Sequence, residues 1–225
     1  MPVPPLSLLE TRILGVLVEK QHTVPDTYPL TLNALVAGSN QKTSRDPILE
    51  ASDAEAQAAL DRLKALTLVV ESSGGRVLRY AHNVGRVLGV PAQAVAILAT
   101  MMLRGPQTIA ELRIHGERLH KFADISSVAG FLDELAARPD GALVVELPRA
   151  PGARETRWTH LLAGAPGPPP AGTAVAPDER SAPSERVAVG ELVALRAAVA
   201  RLEDEVAVLR AAVARIVADL GLPPP

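Results

Sequence analysis

The chain has 225 residues, 48% of them apolar and 21% charged, with a formal net charge of −2. It contains no cysteine, which excludes a disulfide framework, a thiolate zinc site and a cysteine nucleophile. Its aromatic side chains are Tyr28, Tyr80, Phe122, Phe131 and Trp158, too few and too scattered to form a base-stacking platform for single-stranded nucleic acid.

The opening stretch MPVPPLSLLE lacks a basic n-region and carries Glu10 early, so no secretory signal is expected there. The longest apolar stretch, around residues 95 to 103, is broken by Thr100 and is too short to span a bilayer. The expectation is a cytoplasmic protein without membrane contact.

The first predicted helix covers residues 8 to 20, with Leu9, Ile13, Val16 and Leu17 on one side. Ser7 and Glu10 form a capping box at its start: the hydroxyl takes an orphan amide and the carboxylate reaches back. TLNAL, residues 31 to 35, opens a second helix. A second capping box, Ser52 with Glu55, precedes a third helix carrying Leu60, Leu63 and Leu66. LVVES and VLRYAH then flank SGGR, two short β-like runs around a Gly-Gly turn.

The same order follows again. PAQAVAILATMMLR starts a helix at a proline. TIAEL matches TLNAL and carries a capping box, Thr108 with Glu111. A helix from about Asp124 ends in LDELAAR, matching LDRLKAL. LVVEL matches LVVES, and RWTH at 157 to 160 matches RYAH at 79 to 82. Three helices followed by a hairpin is the winged-helix plan. Each unit alone has a limited core, so the two are expected to pack together.

The expected fold class is mostly α with small β-hairpins (α+β). A first winged-helix domain would occupy residues 1–88 and a second 89–163. Residues 164–186 are rich in Pro, Gly and Ala and cannot bury enough apolar surface to offset ordering entropy, so they read as a flexible linker. Residues 187–221 read as a coiled-coil helix.

Several separated stretches carry a family resemblance: VEKQHTVPDTYPLTLNAL, then NQKTSRDP, then LRGPQTIAELR, and finally ARPDGALVVELPRAPGARETRWTHLLAG. In this order they resemble the YceH-like bacterial proteins over about residues 6–164. The most distinctive motif is the loop Asn40, Gln41, Lys42, Thr43, Arg45, Asp46 and Pro47. The resemblance implies a tandem winged-helix fold and little about activity, since that family is largely uncharacterised. The linker and the C-terminal helix lie outside it.

In the C-terminal segment, Leu192, Leu195, Val199, Leu202, Val206, Leu209, Val213, Ile216 and Leu220 alternate in spacing between three and four residues. This heptad pattern is that of a coiled coil, and Val at three of five a positions with Leu at three of four d positions favours a parallel dimer. In that register Glu191 meets Arg196 and Glu205 meets Arg210 of the partner, each exposed pair contributing about 0.5 kcal/mol. The alternative is an amphipathic helix folded back on the globular part.

DNA binding requires clustered cations. Residues 1 to 90 carry nine basic and nine acidic side chains, residues 91 to 165 eight and eight, and the remainder six and eight. The third helices open with acids, Asp53 and Glu55 in one and Asp124 in the other, which suits the helix dipole and repels phosphate. The hairpins are better placed, with Arg76 and Arg79 on the first and Arg149, Arg154 and Arg157 on the second; hairpin arginines can reach phosphates or a narrow minor groove. Lys42 and Arg45 have two readings: anchors to an Asp or Glu of the neighbouring unit, or a phosphate contact. The first is preferred because nothing adjacent is strongly basic. In the loop, Asn40 is expected to end a helix in the left-handed conformation.

Glu111, His115 and His120 have metal-like spacing, but no fourth ligand is evident and no metal site is expected. His82 and His160 occupy matching hairpin ends and are expected to be structural. No phosphate loop, dinucleotide fingerprint or nucleophile elbow occurs, so neither a cofactor nor an enzymatic activity is expected. The functional expectation is a non-enzymatic dimer that contacts double-stranded DNA through its hairpins in a regulatory or chromosome-associated role. The alternative is a protein–protein interaction adaptor without DNA contact.

Overall fold

The computed structural model describes residues 3–73 and 77–166. The heptad segment, Arg76 and all but the first three linker residues therefore lie outside the described residues.

Two similar runs of elements follow each other. The first comprises α1 (Leu8–Thr23), a 3-10 turn (Pro25–Thr27), α2 (Leu32–Ser39), α3 (Asp53–Ala65) and the strands β1 (Val69–Ser72) and β2 (Arg79–His82). A short α4 (Val84–Leu88) joins it to the second: α5 (Ala92–Arg104), α6 (Ile109–His115), α7 (Ile125–Ala136), β3 (Val144–Leu147) and β4 (Arg157–His160). The result is a mixed α/β chain with two small antiparallel hairpins.

Local chemistry sets the helix starts. The boxes at Ser7/Glu10, Ser52/Glu55 and Thr108/Glu111 all form, each satisfying two orphan amides. Thr31 caps α2 and Asp124 caps α7 through side-chain oxygens. Gly89 ends α4 in the left-handed conformation.

The hairpins repeat to the residue. Val69 faces His82 in one register and Val144 faces His160 in the other. Each has a one-residue third partner: Leu30 bridges Tyr80, and Gln107 bridges Trp158. Both bridges use paired backbone bonds, 2.8 and 3.0 Å for the first and 2.7 and 3.0 Å for the second. Tyr80 and Trp158 are buried, so the bridge joins each hairpin to its helices over an aromatic anchor.

The two repeats form one compact unit, Met1–Gly167. The cause lies in α1 and α5. Residues 13 to 18, ILGVLV, are apolar all round and not striped, and every residue from Glu10 to Val18 is buried. Helix α5 is buried in the same way from Ala94 to Leu103. Such helices need cover on every side, and each is completed by the other. Gly15 allows the approach: a Cβ there would lie 2.9 Å from Leu103 Cγ and 3.2 Å from Met102 Cβ. Backbone bonds also join the repeats: Leu6 N–H donates to the Leu162 carbonyl at 2.8 Å, and Asp46 N–H to the Leu103 carbonyl at the end of α5 at 2.8 Å.

Candidate functional site

The loop at residues 39 to 47 lies against both repeats, and two arginines hold it. Arg45 is buried. Its Nη2 donates to Glu19 Oε2 at 2.6 Å and its Nη1 to Oε1 at 3.1 Å. It also donates to the carbonyls of Gly38 at 3.1 Å and Ser44 at 2.9 Å. Arg12 is 0% exposed; it donates to the carbonyls of Ser39 at 3.2 Å and Pro47 at 2.7 Å, while its Nε finds no partner. The cations thus sit where α2 ends and leaves carbonyls unpaired. Burial lowers the Arg12 pKa, and the nearby charge of Arg45 lowers it further. Burial would raise the Glu19 carboxyl, but hydrogen bonds and charge from Arg45, with help from Lys20, outweigh it and hold the carboxyl below its usual range.

The remaining loop residues divide between anchoring and exposure. Asn40 grips Ala51 from both sides, Nδ2 to the carbonyl and Oδ1 from the amide, both at 2.8 Å. It ends α2 with φ −87°, not in the left-handed conformation the sequence suggested; that conformation falls on Ser44, φ 59°. The side chain of Asn40 is committed to closing the loop, and the chain reverses four residues later. Gln41 bonds Arg45 and Thr43, the Asp46–Pro47 bond is cis, and Lys42 is exposed. Arg45 therefore serves as an anchor to an acid, but the acid is Glu19 of its own repeat and not one of the neighbouring unit as the sequence suggested, because the loop folds back against the last turns of α1.

The hairpin arginines separate in the same way. Arg79 Nη1 donates to the carbonyls of Thr27 at 3.1 Å and Pro29 at 2.7 Å. Arg157, its counterpart, donates to the Pro106 carbonyl at 2.8 Å and pairs with Glu111 at 3.1 Å. Both pin a hairpin to the turn before its bridge residue. Arg149 and Arg154 are exposed on the second hairpin and have no partner among the described residues. The exposed faces of α3 and α7 carry Asp53, Glu55 and Asp61 on one and Asp124, Asp133 and Glu134 on the other. The first hairpin instead exposes apolar side chains: Val70 is 51%, Val77 58% and Leu78 45% accessible. Strand β1 is the outer strand there, since β2 lies between it and Leu30.

His82 and His160 are paired by position and by chemistry. Each has a buried Nδ1 without a partner, and burial pushes each imidazole down to about 4. His82 Nε2 meets Gln21 Oε1 at 2.5 Å. Glu111 is occupied by Thr108 and Arg157, and His115 Nδ1 meets Gln107 Oε1 at 2.6 Å. Among the described residues no group of three His, Asp or Glu side chains is placed to hold a metal.

A cleft of about 360 Å³ opens where the repeats meet, with walls that include Lys20, Gln41, Arg104, His115 and Arg118. A second cavity of about 250 Å³ shares Ser44, Arg104 and His115 with it. Arg104 forms no ion pair and no side-chain hydrogen bond among the described residues. Burial lowers its pKa, and the charge of Arg45 lowers it further against the opposing pull of Glu19. Arg12, Glu19 and Arg104 are not singled out by sequence motifs. The available signal is the all-round apolar runs of α1 and α5, which draw the charged residues at their ends toward the interior.

No helix among the described residues is long and apolar enough to cross a membrane. The family model described as "Protein of unknown function, DUF480" matches residues 6–153. A UPF0502 protein of Methylibium petroleiphilum is 59% identical over 217 residues, 96% of this chain and 91% of its own. Another from Dechloromonas aromatica is 60% identical over 204 residues, covering 91% of this chain and 92% of its own. One from Leptothrix cholodnii is 68% identical over 159 residues, 71% of each chain. The first two matches are long enough to pass residue 164 into the heptad segment, which extends the similarity beyond the 6–164 region seen from motifs. The sequence motifs, the family match and these relatives agree: the chain belongs to the DUF480 (UPF0502) family of bacterial proteins.

Proposed function

We propose that this chain is a non-enzymatic, cytoplasmic interaction module. Two winged-helix units are fused into one body, and a coiled coil over residues 187–221 pairs two copies in parallel. Three helices, a one-residue bridge and a hairpin in each repeat support the winged-helix assignment. The partner is a protein that docks on the first hairpin. The carrying observation is the exposure of Val70 on β1, whose outer edge is unpaired among the described residues, together with Val77 and Leu78 just before β2. An extended segment can add to such an edge through backbone bonds while apolar side chains provide specificity. The acidic faces of α3 and α7 and the committed Arg45, Arg79 and Arg157 weigh in the same direction.

Peptide display against the full chain tests the docking reading. Extended apolar peptides should enrich, and Val70→Glu with Val77→Asp should weaken them at least ~10-fold. Failure to enrich any such peptide contradicts it. Light scattering tests the pairing: the full chain should have the mass of a dimer, and a chain ending at residue 185 that of a monomer. A second reading, contact with double-stranded DNA, is favoured by the unpartnered, exposed Arg149 and Arg154 on the second hairpin.

A further inference from the structure

The junction cleft contains an electrostatic imbalance that the packing of the repeats does not require. Across the two connected cavities the lining holds five cations, Lys20, Arg45, Arg104, Arg118 and Arg157, and four carboxylates, Glu19, Asp46, Glu111 and Glu117. The chain as a whole is negative, at −2. Glu19 is taken by Arg45 and Lys20, and Glu111 by Arg157. Arg104 is half-buried at the C-terminus of α5, lines both cavities, and has no hydrogen-bond or ion-pair partner among the described residues. The carboxylate that acts on it at a distance, Glu19, is already held by Arg45 and Lys20, and a desolvated guanidinium whose counter-charge is shared in this way is costly to a fold. Its planar fork matches an oxyanion.

The neighbouring groups specify more of the occupant. His115 uses Nδ1 toward Gln107 Oε1, so its Nε2 is left as an acceptor when the imidazole is neutral. Burial and the charge of Arg104 both favour that neutral form. Gln41 adds a polar group to the wall, and Glu117, an exposed carboxylate on the rim, faces solvent and opposes an anion there less than a buried one would. The cleft lies at the small end of ligand-site volumes and is mostly polar, unlike a lipid or drug-like pocket.

We infer that the junction cleft is a binding site for a small phosphate monoester, with the phosphate on Arg104, supported by Lys20 and Arg118, and ligand hydroxyl groups facing His115. The walls come from both repeats: Lys20 and Gln41 from the first, Arg104, His115 and Arg118 from the second. Occupancy therefore stabilises the junction, whichever macromolecule the hairpins contact.

Calorimetry and thermal unfolding of the full chain test this with ribose 5-phosphate, inorganic phosphate and ribose at matched ionic strength. Ribose 5-phosphate should bind with Kd below ~1 mM and raise Tm, while ribose does neither. Inorganic phosphate equal in affinity to the sugar phosphate would assign the site to free phosphate and remove the role of His115. Arg104→Gln should weaken binding at least ~10-fold. The same variant should raise the Tm of the ligand-free protein, because it removes a half-buried charge with no direct ion-pair partner among the described residues; an arginine serving only structure would lower it. If Arg104→Gln does not fold, the exposed Arg118→Gln replaces it and should weaken binding without changing the ligand-free Tm. No heat and no Tm change with either phosphate compound up to ~10 mM, or affinity unaffected by these variants, overturns the site.

Discussion

Replacement of Arg45 tests the role of the loop at residues 39 to 47. The Arg45 side chain is 0% exposed and that of its partner Glu19 only 17%. In Arg45→Met the volume is roughly kept, but Glu19 loses both close bonds and keeps only Lys20, 3.3 Å away. The Gly38 carbonyl also loses its side-chain donor. Breaking a buried pair from one side costs about 3–5 kcal/mol. For a body of this size that is roughly a 10 °C fall in Tm. Urea unfolding should be followed by circular dichroism and by the fluorescence of Trp158. That tryptophan lies in the second repeat and Arg45 in the first, so coincident transitions also test whether the repeats unfold together. The Glu19→Gln, Arg45→Met double variant should be less destabilised than the sum of the singles by about 2 kcal/mol, as expected for a direct pair. Stability within about 1 kcal/mol of the parent, or strict additivity, would refute the anchoring role.

Other outcomes follow from the same packing. Gly15→Ala should destabilise by about 1–3 kcal/mol despite the better helix propensity of alanine, since the new Cβ meets Leu103 and Met102; pairing it with Leu103→Ala should recover part of the loss in urea unfolding. Acid should destabilise the fold through His82 and His160. Their folded pKa values, about 4, lie below the unfolded value near 6.5. Their contribution is therefore complete above pH ~6.5 and is lost as pH falls toward 4, about 1–2 kcal/mol each by pH 5. Glu19, with a depressed carboxyl, acts in the same direction at lower pH: its contribution is present above the unfolded value of about 4.3 and is lost as pH falls through the folded one. A His82→Gln, His160→Gln variant should flatten the pH 5–7 stability profile; an unchanged slope would place the acid sensitivity elsewhere.

What the sequence disclosed was mostly local. The three capping boxes are readable because both partners lie within one turn, and RYAH and RWTH mark the repeat because hairpin registers are short. The five-residue α4 gives too little periodicity to detect. The anchoring of the loop was only half visible. Arg45 and Glu19 are 26 residues apart, and nothing local distinguishes that arginine from the exposed Lys42. Arg12 is committed to the carbonyls of Ser39 and Pro47, far along the chain, and nothing in its local sequence announces that. Arg79 and Arg157 belong to hairpins, as expected, yet turn back onto the carbonyls of Pro29 and Pro106, which depends on the bridge geometry and not on composition. Asn40 shows a competition between local preferences: a residue suited to the left-handed cap is used instead for its amide.

Fluorescence anisotropy with mixed double-stranded DNA fragments across a salt series tests the proposed function most directly. A protein-docking module with acidic third helices should bind no tighter than about 10⁻⁴ M at ~0.15 M salt, with no change in Arg149→Ala, Arg154→Ala. Submicromolar binding that weakens steeply with salt and disappears in that double variant would contradict the account and establish the second hairpin as a DNA contact.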